Sequence, residues 1–170
     1  FKVMVVDGTG LDMPDSPENR KAYPPRGEKE KGTTFPMLNL VAVFDLFSGG
    51  VMDWSSGNKH CGEQSLWKKL MNKISILGSI ILGDDYYCSY GNIAAILKKK
   101  GHCIFPSEKS RNFEKIKKMG KKDWIVRLRK PAARAKTWTQ NQWKKFPEYI
   151  ELRMIEIVIE SVGFKTRKFR

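Results

Sequence analysis

The sequence is poor in the residues that build disulfide frameworks and zinc sites. Its 170 residues include three cysteines and two histidines. Cys61, Cys88 and Cys103 are odd in number and have no C-x-x-C spacing, and His60 beside Cys61 has no second pair of ligands nearby. We therefore predict reduced, buried or half-buried thiols in a cytoplasmic protein, and we reject a structural zinc site.

Long apolar segments are also missing. The longest, residues 74–82, is interrupted by Ser75, Gly78 and Ser79, and it is far shorter than the roughly 20 residues that cross a bilayer. No signal peptide is present, and the chain opens with Phe1 directly in a strand-like run. We therefore expect a fragment whose beginning is missing. The 41% hydrophobic and 11% aromatic content predicts a globular domain with a core.

Acidic residues are scarce in the second part of the chain. Residues 98–170 hold 7 Asp/Glu against 22 Lys/Arg, a net charge of +15, whereas residues 1–97 hold 11 against 10, a net charge of −1. This distribution predicts a nucleic-acid-binding surface beside an acidic site; the alternative is a merely solvated lysine-rich surface. The candidate DNA-binding residues are Lys115, Lys117, Lys118, Lys121, Lys122, Arg127, Arg129 and Lys130.

Hydrophobic periodicity predicts alternating strands and helices in residues 1–105. The expected order is a short strand at 2–6 ending in a turn at 7–10, a long proline-rich loop at 11–36, a β-hairpin at 38–47 and 51–54, a helix at 63–73, a strand at 79–82, a helix at 89–100 and a strand at 103–105. The pattern indicates an α/β core.

From Pro106 onwards the pattern favours a basic, mostly β subdomain that extends to residue 170. Residues 124–129 alternate as a strand, and residues 151–160 are a strand rather than a helix because β-branched residues recur with a period of two. Trp54, Trp67 and Trp124 are predicted core residues. Trp138 and Trp143 are predicted hydrophobic anchors, with stacking on an unpaired base as the alternative.

Two aspartates follow short apolar strands. Asp7 comes after the first strand and Asp84 after the fourth. If these strands are parallel neighbours, the two carboxylates meet at one edge of the sheet. Phosphodiester cleavage with divalent metal ions requires such carboxylates, and oxygen ligands suit Mg²⁺ or Mn²⁺. The alternative is that each aspartate is only a turn residue.

Several short motifs, in this order, resemble the insertion-sequence-four group of bacterial DDE transposases. They are VVDGT (5–9), MPDSPEN (13–19), GEQSL (62–66), LGD (82–84) and YYCSY (86–90), followed by Gly120, RKP (129–131) and GFKTR (163–167) in the lysine-rich part. The resemblance extends through the whole chain.

The resemblance implies an RNase H-like core, here residues 1–105, with a basic β-rich insertion at 106–170. Asp7 matches the first catalytic aspartate and Asp84 the second, and both would bind Mg²⁺ or Mn²⁺. Asp85 departs from the family, which usually has a basic or polar residue there. The third catalytic residue, a glutamate on a helix after the insertion, has no match in this chain, and Glu63 comes too early to replace it.

The function implied is DNA transposition: metal-dependent phosphodiester cleavage and strand transfer at insertion-sequence ends. The expected partners are double-stranded DNA, as transposon ends and target, and a second copy in a homodimeric synaptic complex; the expected location is the bacterial cytoplasm at the nucleoid. We expect this fragment alone to be inactive. The alternatives are a non-catalytic DNA-binding remnant of a decayed element and another RNase H-like nuclease.

Overall fold

A computed structural model describes residues 1–25, 27, 34–107, 111–160 and 167–169, the last three by their backbone only. In the described residues the strands and helices follow this order: β1 (Val3–Asp12), α1 (Pro17–Ala22), β2 (Met37–Asp45), β3 (Val51–Gly57), α2 (Glu63–Lys73), β4 (Ile80–Leu82), α3 (Tyr90–Lys98), β5 (His102–Ile104), β6 (Glu114–Gly120), β7 (Asp123–Arg129), α4 (Gln140–Lys144), β8 (Tyr149–Ile155), β9 (Ile157–Ile159) and β10 (Arg167–Phe169).

The chain divides into two compact units. The first consists of Phe1–Leu82 and Lys100–His102, and the second of Gly83–Lys99 and Cys103–Arg170. The predicted boundary at residue 106 separates a catalytic core from its insertion. That division differs from the two compact units, and it stays a prediction. The mixed α/β class with predominant sheet is confirmed.

The first unit is built on a twisted meander that continues into a parallel strand. The five-stranded sheet has the order β3-β2-β1-β4-β5. Strands β1, β2 and β3 are antiparallel neighbours, whereas β4 is parallel to β1 over three residue pairs, Val3 with Ile80 through Val5 with Leu82. An antiparallel pair needs only a short turn, but a parallel pair needs a crossover connection, which here contains α2.

The core of the first unit lies between α2 and the sheet. Leu66, Trp67 and Leu70 recur at helical spacing along α2 and are fully buried, as are Met4 and Val6 in β1. Alternate residues of a strand point to one face, which explains why Val5 between them is only half-buried. The predicted hairpin and the predicted helix at 63–73 are both confirmed.

The predicted turn at residues 7–10 is wrong, because β1 continues through it to Asp12. Gly8 and Gly10 mark places where side chains come close to the strand. A Cβ at Gly8 would lie 2.5 Å from Glu63 Oε1, and one at Gly10 would lie 3.0 Å from Met37 Sδ. Glycine inside a strand often serves close approach rather than a turn.

The predicted loop at 11–36 is also wrong in part, because it contains α1. Ser16 caps this helix by accepting a hydrogen bond from the Asn19 backbone N–H at 3.2 Å, and Pro17 occupies the first turn. Serine at the N-cap followed by proline is a helix-start pattern. Residues 26 and 28–33 of this segment lie outside the described residues.

The second unit combines α3 with a three-stranded antiparallel sheet of order β6-β7-β8. Its core contains most of α3, Val126 and Leu128 from β7, and Ile150 and Met154 from β8. The predicted helix at 89–100 is confirmed. Each of its ends lies within two residues of the expected bound, and Ser89 is the N-cap. The predicted strand at 124–129 is confirmed as β7.

The segment 151–160 is extended, as expected, but it forms two strands rather than one. Strand β8 ends at Ile155, the Glu156 backbone N–H donates to the Lys122 carbonyl at 2.9 Å, and β9 then pairs with β10 in a separate two-stranded sheet. The change of partner at Glu156 explains the break. Most of the GFKTR motif, residues 163–166, lies outside the described residues.

An aromatic cluster joins the helices of the second unit. Trp138, Trp143 and Phe146 are buried. Phe146 packs edge-to-face against both tryptophans, and Tyr90 at the start of α3 packs against Trp143 and Phe146, with ring centroids 5.1–6.4 Å apart. The Tyr90 hydroxyl donates to the Pro147 carbonyl. The two tryptophans are therefore hydrophobic anchors, as predicted, and their burial leaves no open ring face for an unpaired base.

Candidate active site and nucleic-acid interface

Asp7 lies in β1 just beyond the part of the strand that pairs with β4. Val5 is opposite Leu82 in the parallel pair, and Asp7 is two residues further along. Its side chain is exposed, and Oδ1 accepts a hydrogen bond from the Gly8 backbone N–H at 2.9 Å. The sequence pattern predicted Asp7 at the end of a strand. Asp7 lies instead within β1, at a point where the pairing of β1 with β4 has already ended.

Asp84 lies in a tight turn that starts two residues after β4. Its Oδ1 accepts from the Tyr86 backbone N–H at 3.0 Å, and its carbonyl accepts from the Tyr87 N–H at 3.3 Å. The carboxylate is exposed, and Tyr86 beside it is also exposed, whereas Tyr87 is buried and packs near Phe105. The turn thus presents the carboxylate of Asp84 and anchors itself through Tyr87.

A cation from the segment after β5 contacts this turn. One Arg111 guanidinium nitrogen donates to the Asp85 backbone carbonyl at 3.3 Å. Sequence reasoning missed Arg111, because it is 26 residues from Asp85 along the chain and no local pattern marks it. Asp85, which follows Asp84, is exposed, and the Arg111 guanidinium lies beside its backbone.

Glu63 begins α2 and lies against β1, but on the other face from Asp7. Its carboxyl group occupies the space that a Gly8 side chain would fill, and successive residues of a strand point to opposite faces. The described residues contain no group of three or more His, Cys, Asp or Glu side chains that could hold a metal ion.

The predicted DNA-binding residues fall into two sets. The side chains of Lys117, Lys118, Lys121 and Lys122 are exposed on β6 and its turn to β7, and they form no hydrogen bond or ion pair with other described residues. Arg129 is exposed at the end of β7.

The other three basic residues are engaged within the second unit. The Lys115 ammonium lies 3.8 Å from the ring centroid of Trp124. Arg127 pairs with Glu151 at 3.1 Å and stacks over Tyr149. The Lys130 ammonium donates to the Phe146 carbonyl at 2.9 Å and pairs with Glu148 at 3.4 Å. These contacts stabilise the sheet and its neighbouring turn.

The predicted core tryptophans differ from one another. Trp67 is fully buried, as predicted, and Trp124 is half-buried under Lys115. The prediction for Trp54 is wrong, because its side chain is 57% exposed. Trp54 lies on β3 next to the buried Ser55, and successive residues of a strand point to opposite faces, so Trp54 lies on the other face of the sheet.

The three thiols are free, with Cys88 buried and Cys61 and Cys103 half-buried, as predicted. Burial, together with a smaller contribution from the neighbouring Cys88, raises the pKa of Cys103 to about 12. Burial also raises the pKa of Cys88, although the charge of Arg111 opposes that shift. Because a thiolate is the reactive form, these two cysteines are structural. No helix among the described residues is long and apolar enough to cross a membrane.

Comparison with known proteins identifies the class. A family model described as a transposase DDE domain matches residues 1–159. The chain therefore belongs to the DDE-domain transposases, as its motifs predicted, and both Asp7 and Asp84 lie in the matched region.

Within this class the chain is similar to the transposase InsG for insertion sequence element IS4 of Escherichia coli (strain K12). The two are 26% identical over 138 residues, which is 80% of this chain and 31% of the relative, so the chain spans about a third of the length of that curated relative. A solved structure, the piggyBac transposase synaptic complex with hairpin DNA, matches with a TM-score of 0.40 at 9% identity, over 78% of this chain and 31% of that one.

Proposed function

We propose that the complete protein is an insertion-sequence transposase, which cuts phosphodiester bonds at the ends of its element and joins those ends to target DNA. The observation that carries this proposal is the match of the transposase DDE-domain family to residues 1–159. In this proposal Asp7 and Asp84 are the first two catalytic carboxylates, and residues 1–105 and 106–170 are the catalytic core and its basic insertion.

The sheet order supports an RNase H-like core. A meander of three antiparallel strands, a crossover through α2, and a fourth strand parallel to the first give the order β3-β2-β1-β4-β5, which is the arrangement expected of that fold. The register supports the carboxylate pair, because Asp7 and Asp84 each come two residues after the opposed residues Val5 and Leu82.

The donor chemistry fits a divalent metal ion. Asp7 and Asp84 offer exposed carboxylate oxygens, which are the ligands that Mg²⁺ and Mn²⁺ prefer. When bound, such an ion activates water and neutralises charge on the phosphate. The part of these two residues is to hold the ion, and each keeps its carboxylate oriented by a backbone N–H at 2.9–3.0 Å. In this proposal the third carboxylate comes from the part of the protein that this chain does not span.

A metal-binding experiment tests the carboxylate pair. Calorimetric titration of the 170-residue chain with Mn²⁺ should give binding that Asp7→Ala and Asp84→Asn each weaken at least tenfold, because each removes one of two anionic ligands. Asp12→Ala is the matched control, since Asp12 is an exposed aspartate of the same strand. Equal affinity in all four proteins would contradict the assignment.

Cleavage tests the function itself. A version extended with the downstream sequence should nick a labelled element-end duplex in the presence of Mg²⁺, and Asp84→Asn should abolish nicking while leaving DNA binding intact. The 170-residue chain alone should bind DNA without nicking it. Robust nicking by that chain would mean that a carboxylate within it completes the site. Hydrolysis without joining by the extended protein would favour a nuclease, and no nicking by it would favour a non-catalytic remnant.

DNA binding has its own test. Proteins that neutralise phosphates release counterions, so the affinity should fall with salt at a log–log slope of about −0.9 per contact. Changing Lys117, Lys118, Lys121 and Lys122 together to glutamate should remove most of the affinity and flatten that slope. Affinity that ignores both salt and these changes would indicate that the lysines only solvate the surface. The homodimeric synaptic complex and the bacterial cytoplasm remain predictions of this proposal.

A further inference from the structure

The edge strand β6 pairs irregularly with β7. Lys115 is opposite Val126, Lys117 opposite Ile125, Lys118 opposite Trp124 and Gly120 opposite Asp123, so the register shifts twice and skips Ile116 and Met119. A β-bulge of this kind places an extra residue in one strand and redirects its side chain. In the order β6-β7-β8 the other side of β6 has no neighbouring strand among the described residues.

The two skipped residues are apolar and lie at the surface. Ile116 is 43% exposed and Met119 is 52% exposed, although an ordinary edge strand of this composition would expose lysine and bury isoleucine. Ile116 lies between Lys115 and Lys117, and Met119 lies between Lys118 and Gly120. Isolated exposed apolar residues need no explanation, but here both members of a repeated irregularity are apolar, and each is next to a lysine.

The hairpin tip adds further positive charge at a conformational cost. Lys121 and Lys122 form the tip, and Lys122 has a φ of +66°, which is the left-handed region where glycine or asparagine is favoured. From Glu114 to Lys130 the sequence holds eight Lys/Arg and two Asp/Glu, a net charge of +6. A lysine kept in an unfavourable backbone conformation is a reason to look for a function of its charge.

We propose that the hairpin Glu114–Arg129, here called the basic ribbon, bends the DNA that the transposase binds, with its lysines on the phosphates and with Ile116 and Met119 wedged between base pairs in the minor groove. This inference rests on the proposed DNA-binding function and adds to it a deformation of the bound duplex. Apolar wedges flanked by basic residues are the means by which minor-groove proteins unstack a step and kink the helix.

The dimensions of the ribbon agree with this role. Residues three apart in an extended strand are separated by roughly 10 Å, and successive base pairs are about 3.4 Å apart along the axis. Ile116 and Met119 would therefore meet steps about three base pairs apart, while Lys117 and Lys118 between them face the intervening backbone. Two wedges at that separation bend a duplex more than one wedge does.

The charge of the ribbon favours DNA over a second copy of the chain. An exposed edge strand is also a template for strand pairing between proteins, but two copies of a ribbon that carries a net charge of +5 repel one another. Lysines on an edge strand are themselves a common protection against such pairing. A polyanion instead gains from each of these charges.

The experiment measures bending and affinity separately. A duplex of about 30 base pairs, labelled at its ends for energy transfer, would carry two central TpA steps about three base pairs apart, because such steps kink easily, and a second duplex would carry a stiff A-tract instead. The 170-residue chain is titrated at low salt with each duplex. The variants are Ile116→Ala with Met119→Ala, Lys117→Glu with Lys118→Glu, and the matched control Lys21→Glu with Lys69→Glu, two exposed lysines of the first unit.

The wild-type chain should shorten the end-to-end distance of the TpA duplex and shorten that of the A-tract duplex less. The double alanine variant should lose the bend, yet lose no more than about tenfold in affinity, because the removed contacts had offset the cost of unstacking. The double glutamate variant should lose most of its affinity, and the control variant should match the wild type.

The possible outcomes distinguish a failure of the wedge proposal from a failure of the proposed DNA-binding function. If the alanine variant still bends the duplex as the wild type does, the wedge proposal is overturned while DNA binding stands. If the wild type fails to bind either duplex with a salt-dependent affinity, the proposed function fails first. If the alanine variant instead changes the oligomeric state in sedimentation and leaves bending unchanged, the ribbon is an interface between copies and our inference is wrong. Circular dichroism of each variant checks that it is folded.

Discussion

The contact between Gly91 and Trp138 gives the most direct test of how the second unit is packed. Gly91 lies in the first turn of α3, and a methyl group there would overlap the Trp138 indole, with Cδ1 at 2.7 Å and Cε2 at 2.9 Å. The indole cannot retreat easily, because it is buried and packs edge-to-face on Phe146 at 5.1 Å.

Two opposing terms decide the effect of Gly91→Ala. Alanine in place of glycine stabilises a helix by up to about 1 kcal/mol, because the unfolded chain loses freedom. Overpacking a buried contact costs about 1–3 kcal/mol. The steric term is larger here, since the obstructing atoms belong to a rigid ring. We expect a net loss of about 1–2 kcal/mol, which lowers Tm by about 2–8 °C in a chain of this size.

A double-mutant cycle separates the two terms. Trp138→Ala removes all of the indole atoms that a methyl group at Gly91 would meet, so Gly91→Ala in that background should be neutral or stabilising, and the two changes should couple by more than about 1 kcal/mol. Thermal and urea unfolding by circular dichroism provide the free energies. Gly62→Ala is the control, because a methyl group added there would have no atom within 4 Å. An equal loss in both backgrounds, or no loss in either, would refute the steric argument.

Other predictions follow from single features. Lys122→Gly should raise Tm, because it removes the strain of about 1 kcal/mol that a lysine carries in the left-handed region. It should also weaken DNA binding. A lower Tm would contradict this prediction. Burial raises the pKa of Cys103 and of Tyr90 to about 12, from ordinary values of 9.0 and 10.0. The native state keeps protons that the unfolded state releases, so stability present below pH 9 is lost as the pH rises to 12. Cys103→Ala should therefore reduce the fall of Tm over that pH range. An unchanged dependence of Tm on pH would exclude Cys103 as the source of the fall. Trp67→Ala should cost about 3–5 kcal/mol and Trp54→Ala far less, which urea unfolding would check; similar losses would contradict the burial assigned to these residues.

The elements that could be predicted from the sequence are those whose pattern is local. The helix at 63–73 carries its apolar residues at helical spacing, and the hairpin is marked by Ser48-Gly49-Gly50 between two alternating runs. Strand β7 shows a period of two. In each of these the tertiary structure agrees with the local preference, so the prediction is confirmed.

The errors have tertiary causes. Gly8 and Gly10 suggested a turn, but the strand continues because residues 7–12 pair with β2, and glycine there leaves room for Glu63 and Met37. Trp54 suggested a core position, but it lies on the face of β3 opposite to the buried Ser55. Neither the register that places Val5 opposite Leu82 nor the contact of Arg111 with the Asp85 turn has a local pattern. The candidate site residues could be proposed from the resemblance, whereas the contacts that support them could not be predicted from the sequence.

The register of β1 has a consequence for the order of folding. Strands β2 and β3 are joined by a short turn at residues 46–50, and hairpins of this kind form in roughly microseconds, whereas residues 13–36 connect β1 to β2. The parallel contact is only three residue pairs long and must wait for Ile80–Leu82, which are far along the chain. Non-local pairing pays its loop-closure entropy before it gains any contact, and it is therefore slow. During synthesis on the ribosome, β1, which carries Asp7, would thus be paired with β2 on one side and unpaired on the other until β4 emerges. The nascent chain therefore acquires the alignment of Val5 with Leu82 late, after the meander has already formed.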